Sequence, residues 1–497
     1  MSEFKTLLLQ APITMKKQDA KTFGIFVPLG LLAVGTMLVE NGFNVEILDL
    51  LAEAPRVRTA SCQGYVEMGM PGTDIEKILL RRNPNIIGIT NNFTAFSDDC
   101  IRLAEIVRQC IPKAIIVMGG AHASVETESI LESGVVDAVV IGEGEYSFSE
   151  LVGALEKGNE EQAHMVSGTA WNINGKLVYN KYPGPIENLD KLPRSDYRLL
   201  GMDRYIWQKN ANFAAAMRWP IGHMLTSRGC VYNCRFCSVT NRFKRYRTRS
   251  IENVIAEMEL LINHYGIQEF HFHDDCFMAK PDRIVTFCNR IIEKKMNIRW
   301  QISQGVNSVG LDENLLKLMY DSGMYRIGFP VESASQDVLR LIRKPVNLNK
   351  IKGLIKTCNH LGIYTFGCFM IGFPEETKAQ VEETIRFINE SGLDYIKVSV
   401  VQPIPGSKLF EDYEKNGLLN DGIKHGSTYF HSEYDTVHMT ADQLNTIRIK
   451  ILRKFSIKRI TRMFLSGGIQ RYLLPKLRTK DNAKYFLRMI WQVLCGM

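Results

Sequence analysis

Three cysteines stand within eight residues near the middle of the chain, at Cys230, Cys234 and Cys237. They share one tight loop after a strand-like segment, so their CxxxCxxC spacing lets three thiolates reach three irons of a cubane iron–sulfur cluster. No fourth cysteine follows at ligand spacing, which would leave the fourth iron open. The alternative is structural zinc completed by His223 or a distant histidine, although zinc sites favour ligand pairs separated by a longer spacer. The spacing therefore favours a [4Fe–4S] cluster with an open corner.

The cysteine loop resembles the signature of radical S-adenosylmethionine (SAM) enzymes, including the aromatic Phe236 just before the last cysteine. In that family the open iron chelates the amino and carboxylate groups of SAM, and one electron cleaves the sulfonium. The cofactors carry this chemistry and the protein positions them. Other segments resemble the motifs that end later strands of the family's barrel: Phe270–Phe277, Gly328–Ser333, Gly367–Thr377 and Gln402–Ser407.

This resemblance implies a set of SAM contacts in addition to Phe236, which would contact the adenine. Asp274 and Asp275 would meet the SAM amino group, and Glu332 would accept hydrogen bonds from the ribose hydroxyls. The backbone at Gly372 would approach the adenosyl group. One aspartate could instead cap the following helix, and Glu332 could be a solvated loop acid. No catalytic acid–base pair stands out, and hydrogen abstraction by a radical requires none.

The first 150 residues alternate apolar runs with helical patterns. The pattern predicts a doubly wound parallel α/β sheet, Rossmann-like, with its ligand at the carboxyl ends of the strands. The predicted strands are Thr6–Leu9, Val45–Leu50, Ile86–Thr90, Ala114–Met118 and Ala138–Ile141. The predicted helices include Leu29–Asn41, Asp74–Arg81 and Asp98–Cys110.

This N-terminal region is similar to the cobalamin (B12)-binding domain of radical SAM methyltransferases. The matching segments are Pro28–Leu32, Val117–Ala123 and Asp137–Glu145. The resemblance implies cobalamin contacts from Asn91, Asn92, Thr94, Gly119, Gly120, His122, Gly142, Glu143 and Gly144. The loop Gln10–Lys16 lacks the histidine that ligates cobalt in methionine-synthase-like domains, so we expect cobalamin without His ligation. His122 is better explained as a loop histidine bonded to its neighbours.

Methylthiotransferases carry a second cluster in this region, for which Cys62, Cys100 and Cys110 are the available cysteines. Cys100 and Cys110 fall on one predicted helix, about 15 Å apart along its axis. A shared cluster is therefore excluded.

A chain of 497 residues should form two or three domains. We predict a cobalamin-binding domain at 1–150, a linker at 151–205 with a hairpin around Asn174-Gly175, a radical SAM domain at 206–420 and a basic helical region at 421–497. The third segment repeats strand and helix six times, beginning with a predicted strand at Met224–Thr226 and including predicted helices at Ile251–Tyr265 and Leu348–Leu361. This pattern predicts a partial (β/α)6, TIM-like barrel with its site at the strand carboxyl ends.

The net charge of +8 is concentrated in the C-terminal region, where residues 453–497 hold eleven Lys and Arg against one acid, Asp481. Aromatic and aliphatic residues alternate with these cations. Such helices can lie on an anionic membrane, or they can pack on the barrel with their cations in water. The first alternative favours a hydrophobic or lipid-like substrate, and no nucleic acid is expected. No signal peptide or membrane-spanning stretch is apparent, which predicts a cytoplasmic enzyme with peripheral contact to the inner membrane face as an alternative.

The resemblance implies an enzyme that uses a [4Fe–4S] cluster, SAM and cobalamin with a reducing flavodoxin- or ferredoxin-like electron donor. It would spend two SAM molecules, one to methylate cobalamin and one to form a 5′-deoxyadenosyl radical, and so methylate an unactivated carbon through methylcobalamin. The layout resembles hopanoid methylases and also anaerobic magnesium-protoporphyrin monomethyl ester cyclases, so a radical cyclase or rearrangement enzyme is an alternative. A cobalamin and iron–sulfur sensor is the alternative from another class.

Overall fold

The computed structural model describes residues 3–17, 19–21, 23–55, 58–60, 64–207, 216–238, 245–302, 306, 308–419, 431–464 and 468–494. The described residues fold into two compact units, one formed by residues up to 207 and the other by residues from 216 onward. Both units are α/β structures built around sheets with parallel strands.

The first unit contains the strands β1 (Lys5–Gln10), β2 (Ile13–Lys16), β3 (Asn44–Asp49), β4 (Arg58–Ala60), β5 (Tyr65–Met68), β6 (Ile86–Thr90), β7 (Ile115–Gly119), β8 (Ala138–Val140), β9 (Thr169–Ile173) and β10 (Lys176–Tyr179). Its helices are α1 (Leu29–Glu40), α2 (Leu50–Glu53), α3 (Gly72–Arg82), α4 (Ser97–Cys110), α5 (Thr127–Glu132), α6 (Gly144–Glu156), α7 (Glu160–His164) and α8 (Asp203–Ile206). The main sheet has the order β10-β9-β8-β7-β6-β1-β3, and β2-β5-β4 form a smaller sheet.

The predicted parallel sheet is present in this unit. Strands β3, β1, β6, β7 and β8 pair in parallel, and their apolar runs are buried, with Leu7, Leu8 and Leu9 at most 2% exposed. Because these five strands are parallel, their carboxyl ends lie along one edge of the sheet.

The hairpin predicted around Asn174-Gly175 is also present, with both turn residues at positive φ (52° and 82°) as a two-residue turn of the I′ type requires. Strand β9 pairs antiparallel with β8 and extends the main sheet. Residues 151–205, predicted as a linker, therefore belong largely to the first unit. The turn was visible in the sequence, whereas the pairing of the hairpin with β8 was not.

The second unit contains the strands β11 (Ile221–Met224), β12 (Ser227–Arg228), β13 (Arg247–Thr248), β14 (Glu269–Phe272), β15 (Arg299–Ile302), β16 (Met324–Glu332), β17 (Tyr364–Ile371) and β18 (Tyr395–Val400). Its helices are α9 (Ile251–Tyr265), α10 (Pro281–Glu293), α11 (Glu313–Asp321), α12 (Gln336–Leu341), α13 (Leu348–Leu361), α14 (Lys378–Glu390), α15 (Lys408–Lys415), α16 (Ala441–Phe464) and α17 (Lys480–Leu494).

Among the described residues of this unit, six strands pair in parallel in chain order, β11-β14-β15-β16-β17-β18. Helix α9 shows why the predicted boundaries hold: the Ser250 hydroxyl accepts a hydrogen bond from the Asn253 N–H at 3.2 Å, and Gly266 ends the helix at φ 64°. The first strand, predicted at Met224–Thr226, begins earlier, at Ile221. Gly222 and His223 interrupt its apolar pattern, yet both are buried.

Within the second unit, the C-terminal segment packs on the sheet. Tyr485 contacts the rings of Tyr325 and Tyr364 edge-on, with centroids 5.4 and 4.8 Å away. Those two tyrosines lie at the amino ends of β16 and β17. Lys476 is fully buried against Asp394. For these tail residues, packing on the sheet explains their burial. Among the described residues, no helix is long and apolar enough to cross a membrane.

Candidate functional site

The cysteine loop leaves the carboxyl end of β11 through the short strand β12. Gly229 adopts φ 79°, a conformation that glycine takes without steric cost. Cys234 is buried, whereas Cys230 and Cys237 are partly exposed. The Cys237 N–H donates to the Cys234 carbonyl at 3.2 Å, which closes a turn. The three predicted cluster cysteines thus lie on one ordered loop at the edge of the parallel sheet.

Neighbouring elements anchor this loop through Arg235. Its backbone N–H donates to the Ile342 carbonyl at 3.1 Å, and its carbonyl accepts from the Leu409 N–H at 2.8 Å. Its guanidinium pairs with Asp412. Arg235, the residue after the second cysteine, is therefore held by the end of α12 and by α15.

The thiols have unequal environments. Burial raises the pKa of Cys234 to about 11, with Cys237 and Cys230 adding to the rise and Lys344 opposing it. A hydrogen bond with Cys276 lowers the pKa of Cys230 to about 7. In the described residues no group of three or more His, Cys, Asp and Glu side chains is arranged to hold a metal ion. Three thiols of one loop are nevertheless the donor set that iron–sulfur clusters use.

The turn after β14 holds the cysteine loop. The Asp274 carboxylate is 1% exposed and accepts hydrogen bonds from the Thr226 N–H at 3.0 Å, the Thr226 hydroxyl at 2.7 Å and the Ser227 hydroxyl at 2.5 Å. Asp275 is exposed and accepts from the Gly229 N–H. Of the two predicted SAM-binding aspartates, Asp274 is occupied in positioning the loop, and Asp275 faces solvent.

Glu332 ends β16 at φ 64° and is 7% exposed. Its carboxylate lies 3.2 Å from Lys344 Nζ. Burial would lower the pKa of Lys344, but the charge of Glu332, followed by that of Cys234, raises it to about 12. Lys344 is a site residue that sequence reasoning missed, because nothing in its local sequence distinguishes it from a surface lysine.

Phe236 lies beside Phe373, the residue that follows Gly372, near the end of β17. The Phe236 ring lies 6.1 Å from that of Phe373. Gly372 has φ 87°, and its N–H donates to Glu376 at 2.7 Å. Burial raises the pKa of Glu376 to about 7. The structure therefore places the two predicted adenosyl contacts on adjoining loops.

His223, the candidate fourth ligand for zinc, points to other histidines. Its Nδ1 lies 2.8 Å from His273 Nε2, and its ring stands edge-on to His271. Burial, followed by the nearby His273 and His271, lowers its pKa well below the usual value. His223 thus belongs to a buried histidine group of β11 and β14.

The predicted cobalamin residues gather at the carboxyl ends of β6, β7 and β8. Asn92 accepts a hydrogen bond from the Ala121 N–H at 3.0 Å. Gly120 has φ 119°, and a Cβ there would lie 2.6 Å from Asn92 Oδ1 and 2.8 Å from the Asn91 carbonyl. The loops after β6 and β7 are therefore interlocked, with Gly119 ending β7 beside them.

The remaining side chains of these loops are mostly engaged with each other. The Thr94 hydroxyl lies 3.0 Å from His122 Nδ1, and His122 is 7% exposed, as expected of a bonded loop histidine. Asn91 is buried, and its Oδ1 has no hydrogen-bond partner among the described residues. Phe93, which sequence reasoning missed, is 59% exposed on the same loop. An exposed aromatic ring and an unpaired amide oxygen suit a large, partly polar ligand.

The loop after β8 packs against residues of the segment 151–205, which was predicted as a linker. A Cβ at Gly142 would lie 2.5 Å from the Tyr182 ring, and Glu143 accepts from the Ile186 N–H at 2.6 Å. Gly144 begins α6. Tyr182 and Ile186 could not be assigned here from sequence, because they reach the loop from about 40 residues away.

Comparison with known proteins matches both halves of this arrangement. The B12 binding domain model matches residues 18–152, and the Radical SAM superfamily model matches residues 224–388. An uncharacterized methyltransferase of Pyrococcus horikoshii is 34% identical over 95% of this chain and 93% of its own length. The cytidylyl-2-hydroxyethylphosphonate methyltransferase of Streptomyces wedmorensis is 30% identical over 84% of this chain and 83% of its own length.

The fold is similar to that of OxsB, a cobalamin-dependent SAM radical enzyme solved with aqua-cobalamin and SAM bound. The TM-score is 0.68 at 18% identity, with 100% of this chain and 76% of that chain covered. The expected enzyme class and its cofactors, a [4Fe–4S] cluster, SAM and cobalamin, are confirmed by the two domains and the full-length relatives. This chain belongs to the cobalamin-dependent radical SAM methyltransferase family.

Proposed function

We propose that this enzyme methylates an apolar carbon of a small molecule, with its cluster on Cys230, Cys234 and Cys237. The observation that carries the proposal is the anchored cysteine loop, beside which Asp275, Glu332 and Lys344 stand. The six-stranded sheet of the second unit is the partial barrel of the radical SAM domain, and the helices from 431 onward are its C-terminal extension. The first unit, including most of the former linker, is the Rossmann-like cobalamin domain.

The chain's own residues bind the cofactors and orient SAM. When bound, the cluster supplies the electron that cleaves SAM, and cobalamin supplies the methyl group. The three thiolates would each hold one iron. The three cysteine side chains move together as the cluster binds. Lys344 offsets their negative charge. Asp275, exposed and close to the loop, accepts from the SAM ammonium. Glu332 accepts from the ribose hydroxyls, and Phe236 covers the adenine.

The proposed substrate class follows from the strand next to this site. Alternate residues of β17, Cys368 and Met370, are partly exposed, and Met370 and Phe236 both pack against the apolar cluster that contains Phe373. Glu332 and Lys344 act electrostatically on Cys368, so this face borders the SAM site. Sulfur-containing and aromatic side chains favour an apolar body in the substrate.

Anaerobic turnover with a chemical or flavodoxin-like reductant tests the proposal. A methyltransferase of this type forms equal amounts of 5′-deoxyadenosine and S-adenosylhomocysteine and a product heavier by one methylene. 5′-Deoxyadenosine without S-adenosylhomocysteine would indicate a cyclase or rearrangement enzyme instead. Candidate lipids are compared with a cytidylylated phosphonate, the substrate type named for the S. wedmorensis relative. If the enzyme methylated the phosphonate in preference to the lipids, the proposal of an apolar substrate would be wrong.

Cobalamin binding is tested at Gly120. The Gly120→Ala variant places a Cβ within 2.6 Å of Asn92 Oδ1 at φ 119°, so the interlocked loops must shift. We expect cobalamin retained after desalting to fall at least about tenfold, the equivalent of ~1.4 kcal/mol, while iron content stays unchanged. Gly134→Ala is the matched control, because Gly134 also has a positive φ (72°) but faces open space. If Gly120→Ala retained as much cobalamin as the parent, the assignment of these loops to the cobalamin site would be wrong.

Peripheral membrane contact is proposed for the exposed face of α16. Ile457 and Ile460 are 65% and 54% exposed, and the neighbouring Lys454 and Lys458 are exposed as well. Each cation near an anionic surface contributes about 1 kcal/mol. This face supports a cytoplasmic enzyme that visits the inner face of the membrane.

Vesicle co-sedimentation checks this contact. The double variant Ile457→Ser/Ile460→Ser should bind phosphatidylserine vesicles at least about tenfold more weakly than the parent, since two apolar side chains no longer enter the interface. Leu80→Ser removes a similarly exposed (62%) leucine from the first unit and should change nothing. Equal binding by all three proteins would reject the membrane contact.

A further inference from the structure

Two residues near the cysteine loop have a backbone conformation that glycine normally takes. Glu332, at the end of β16, has φ 64°, and Arg343, just after α12, has φ 55°. Residues with a Cβ seldom occupy this left-handed region, and those that do often lie at functional sites. Lys344 follows Arg343, and its Nζ lies 3.2 Å from the Glu332 carboxylate. The two unusual backbone positions therefore place the two members of one ion pair.

The end of β16 fixes the position of the Glu332 carboxylate. Val331 is an extra residue in the pairing of β16 with β17, where Pro330 and Glu332 pair with consecutive residues. A bulge of this kind re-aims a side chain and is common next to active sites. Beyond the bulge, the Ala334 N–H donates to the Thr384 hydroxyl of α14 at 2.9 Å. The backbone is therefore held on both sides of Glu332.

The turn after α12 fixes the position of Lys344. Its N–H donates to the Leu339 carbonyl, five residues back, at 2.9 Å, which is the bond that closes a helix end with a left-handed residue. The Ile342 carbonyl of this turn accepts from the Arg235 N–H of the cysteine loop at 3.1 Å. The side chains of Lys344 and Glu332 are 14% and 9% exposed. The turn that holds the cysteine loop therefore also brings Lys344 to Glu332.

We propose that Lys344 is a positioning residue for SAM, because it holds the Glu332 carboxylate in the orientation that accepts hydrogen bonds from the ribose hydroxyls. The inference rests on the proposed ribose contact of Glu332. The lysine donates to Glu332 Oε1 at 3.2 Å, and an ionised carboxylate keeps acceptor sites for further hydroxyl donors. Without its cation, a nearly buried carboxylate is destabilised in this position. Lys344 thus acts through Glu332 and does not touch the reacting atoms.

Binding of SAM and of a SAM analogue without the 2′ and 3′ hydroxyls tests this assignment. Equilibrium dialysis of the reconstituted full-length enzyme, with its cluster kept oxidised so that SAM is not cleaved, gives both dissociation constants. The parent should bind SAM at least about 30-fold more tightly than the analogue, and Lys344→Met should lower this ratio about tenfold. The weakening should affect SAM alone, because the analogue has no ribose hydroxyls to lose. Lys344→Arg keeps the cation and should recover most of the ratio.

Lys356→Met replaces an exposed lysine of α13 and is the matched control, which should keep the parent's ratio. An unchanged ratio in Lys344→Met overturns the proposal, whether both ligands bind as in the parent or both bind equally more weakly. No recovery in Lys344→Arg does the same. If Lys344→Met holds no iron, Lys344→Gln decides by the same ratio, and loss of iron from both variants overturns the proposal.

Failure of the proposed function gives a different result. A parent enzyme that binds SAM and the analogue equally refutes the ribose contact of Glu332, and the role of Lys344 with it. A parent enzyme without any cluster refutes the assignment of the cysteine loop. A parent that prefers SAM, together with a Lys344→Met variant that keeps the same preference, refutes the role of Lys344 alone.

Discussion

Replacing Cys230, Cys234 or Cys237 with alanine lowers 5′-deoxyadenosine formation by at least about 100-fold, which corresponds to ~2.7 kcal/mol or more in the barrier to SAM cleavage. A cubane held by only two thiolates leaves two irons without protein ligands, so the cluster is lost or cannot accept the electron that SAM cleavage needs. Iron and sulfide analysis, followed by chromatographic measurement of 5′-deoxyadenosine in dithionite-reduced protein, gives the result directly.

Cysteine replacement away from the loop provides the control. Cys110 lies at the end of α4 in the first unit and is partly exposed. Cys110→Ala should keep its full iron content and rate, which would also confirm that the first unit holds no second cluster. A Cys234→Ala protein with full iron and undiminished SAM cleavage would contradict the assignment of the loop.

Lys476→Met destabilises the second unit by about 3–5 kcal/mol. The ammonium is fully buried, pairs with Asp394 and lies 3.0 Å from Asn359 Oδ1. Asp394 also accepts from the Thr365 N–H at 2.8 Å, so removing the lysine leaves a carboxylate at the amino end of β17 without its cation. Burial of an uncompensated charge accounts for the size of the loss. Denaturant unfolding monitored by tryptophan fluorescence measures it.

Two companion variants distinguish charge burial from a general effect of changing the tail. Lys454→Met alters an exposed lysine of α16 and should change stability by no more than about 0.5 kcal/mol. Lys476→Met/Asp394→Leu removes both charges and should recover part of the loss. If Lys476→Met has the same free energy of unfolding as Lys454→Met, the ion pair between Lys476 and Asp394 does not hold the C-terminal segment to the sheet.

Local signals made much of the fold predictable. The strand Ile86–Thr90 and the helices at 251–265 and 348–361 have the predicted bounds, because continuous apolar runs, N-cap side chains and terminal glycines act within a few residues. The cysteine loop was predictable for the same reason: its chemistry is contained in eight consecutive residues.

Contacts between distant segments could not be predicted in this way. In the sequence, nothing distinguishes Lys476 from the other cations of the basic tail. It is a core residue because the fold brings it to Asp394, 82 residues earlier. Asp274 reads as a SAM ligand by resemblance, yet its carboxylate is taken up by Thr226 and Ser227, 48 and 47 residues before it.

Electron–nuclear hyperfine spectroscopy of the reduced enzyme with isotopically labelled SAM tests the central claim most directly. If three loop thiolates leave one iron open, ¹⁷O in the SAM carboxylate and ¹⁵N in its amino group should both show coupling to the cluster spin, and Cys234→Ala should abolish the signal. A reduced cluster with no coupling to either label, or a loop that binds zinc in place of iron, would contradict the account.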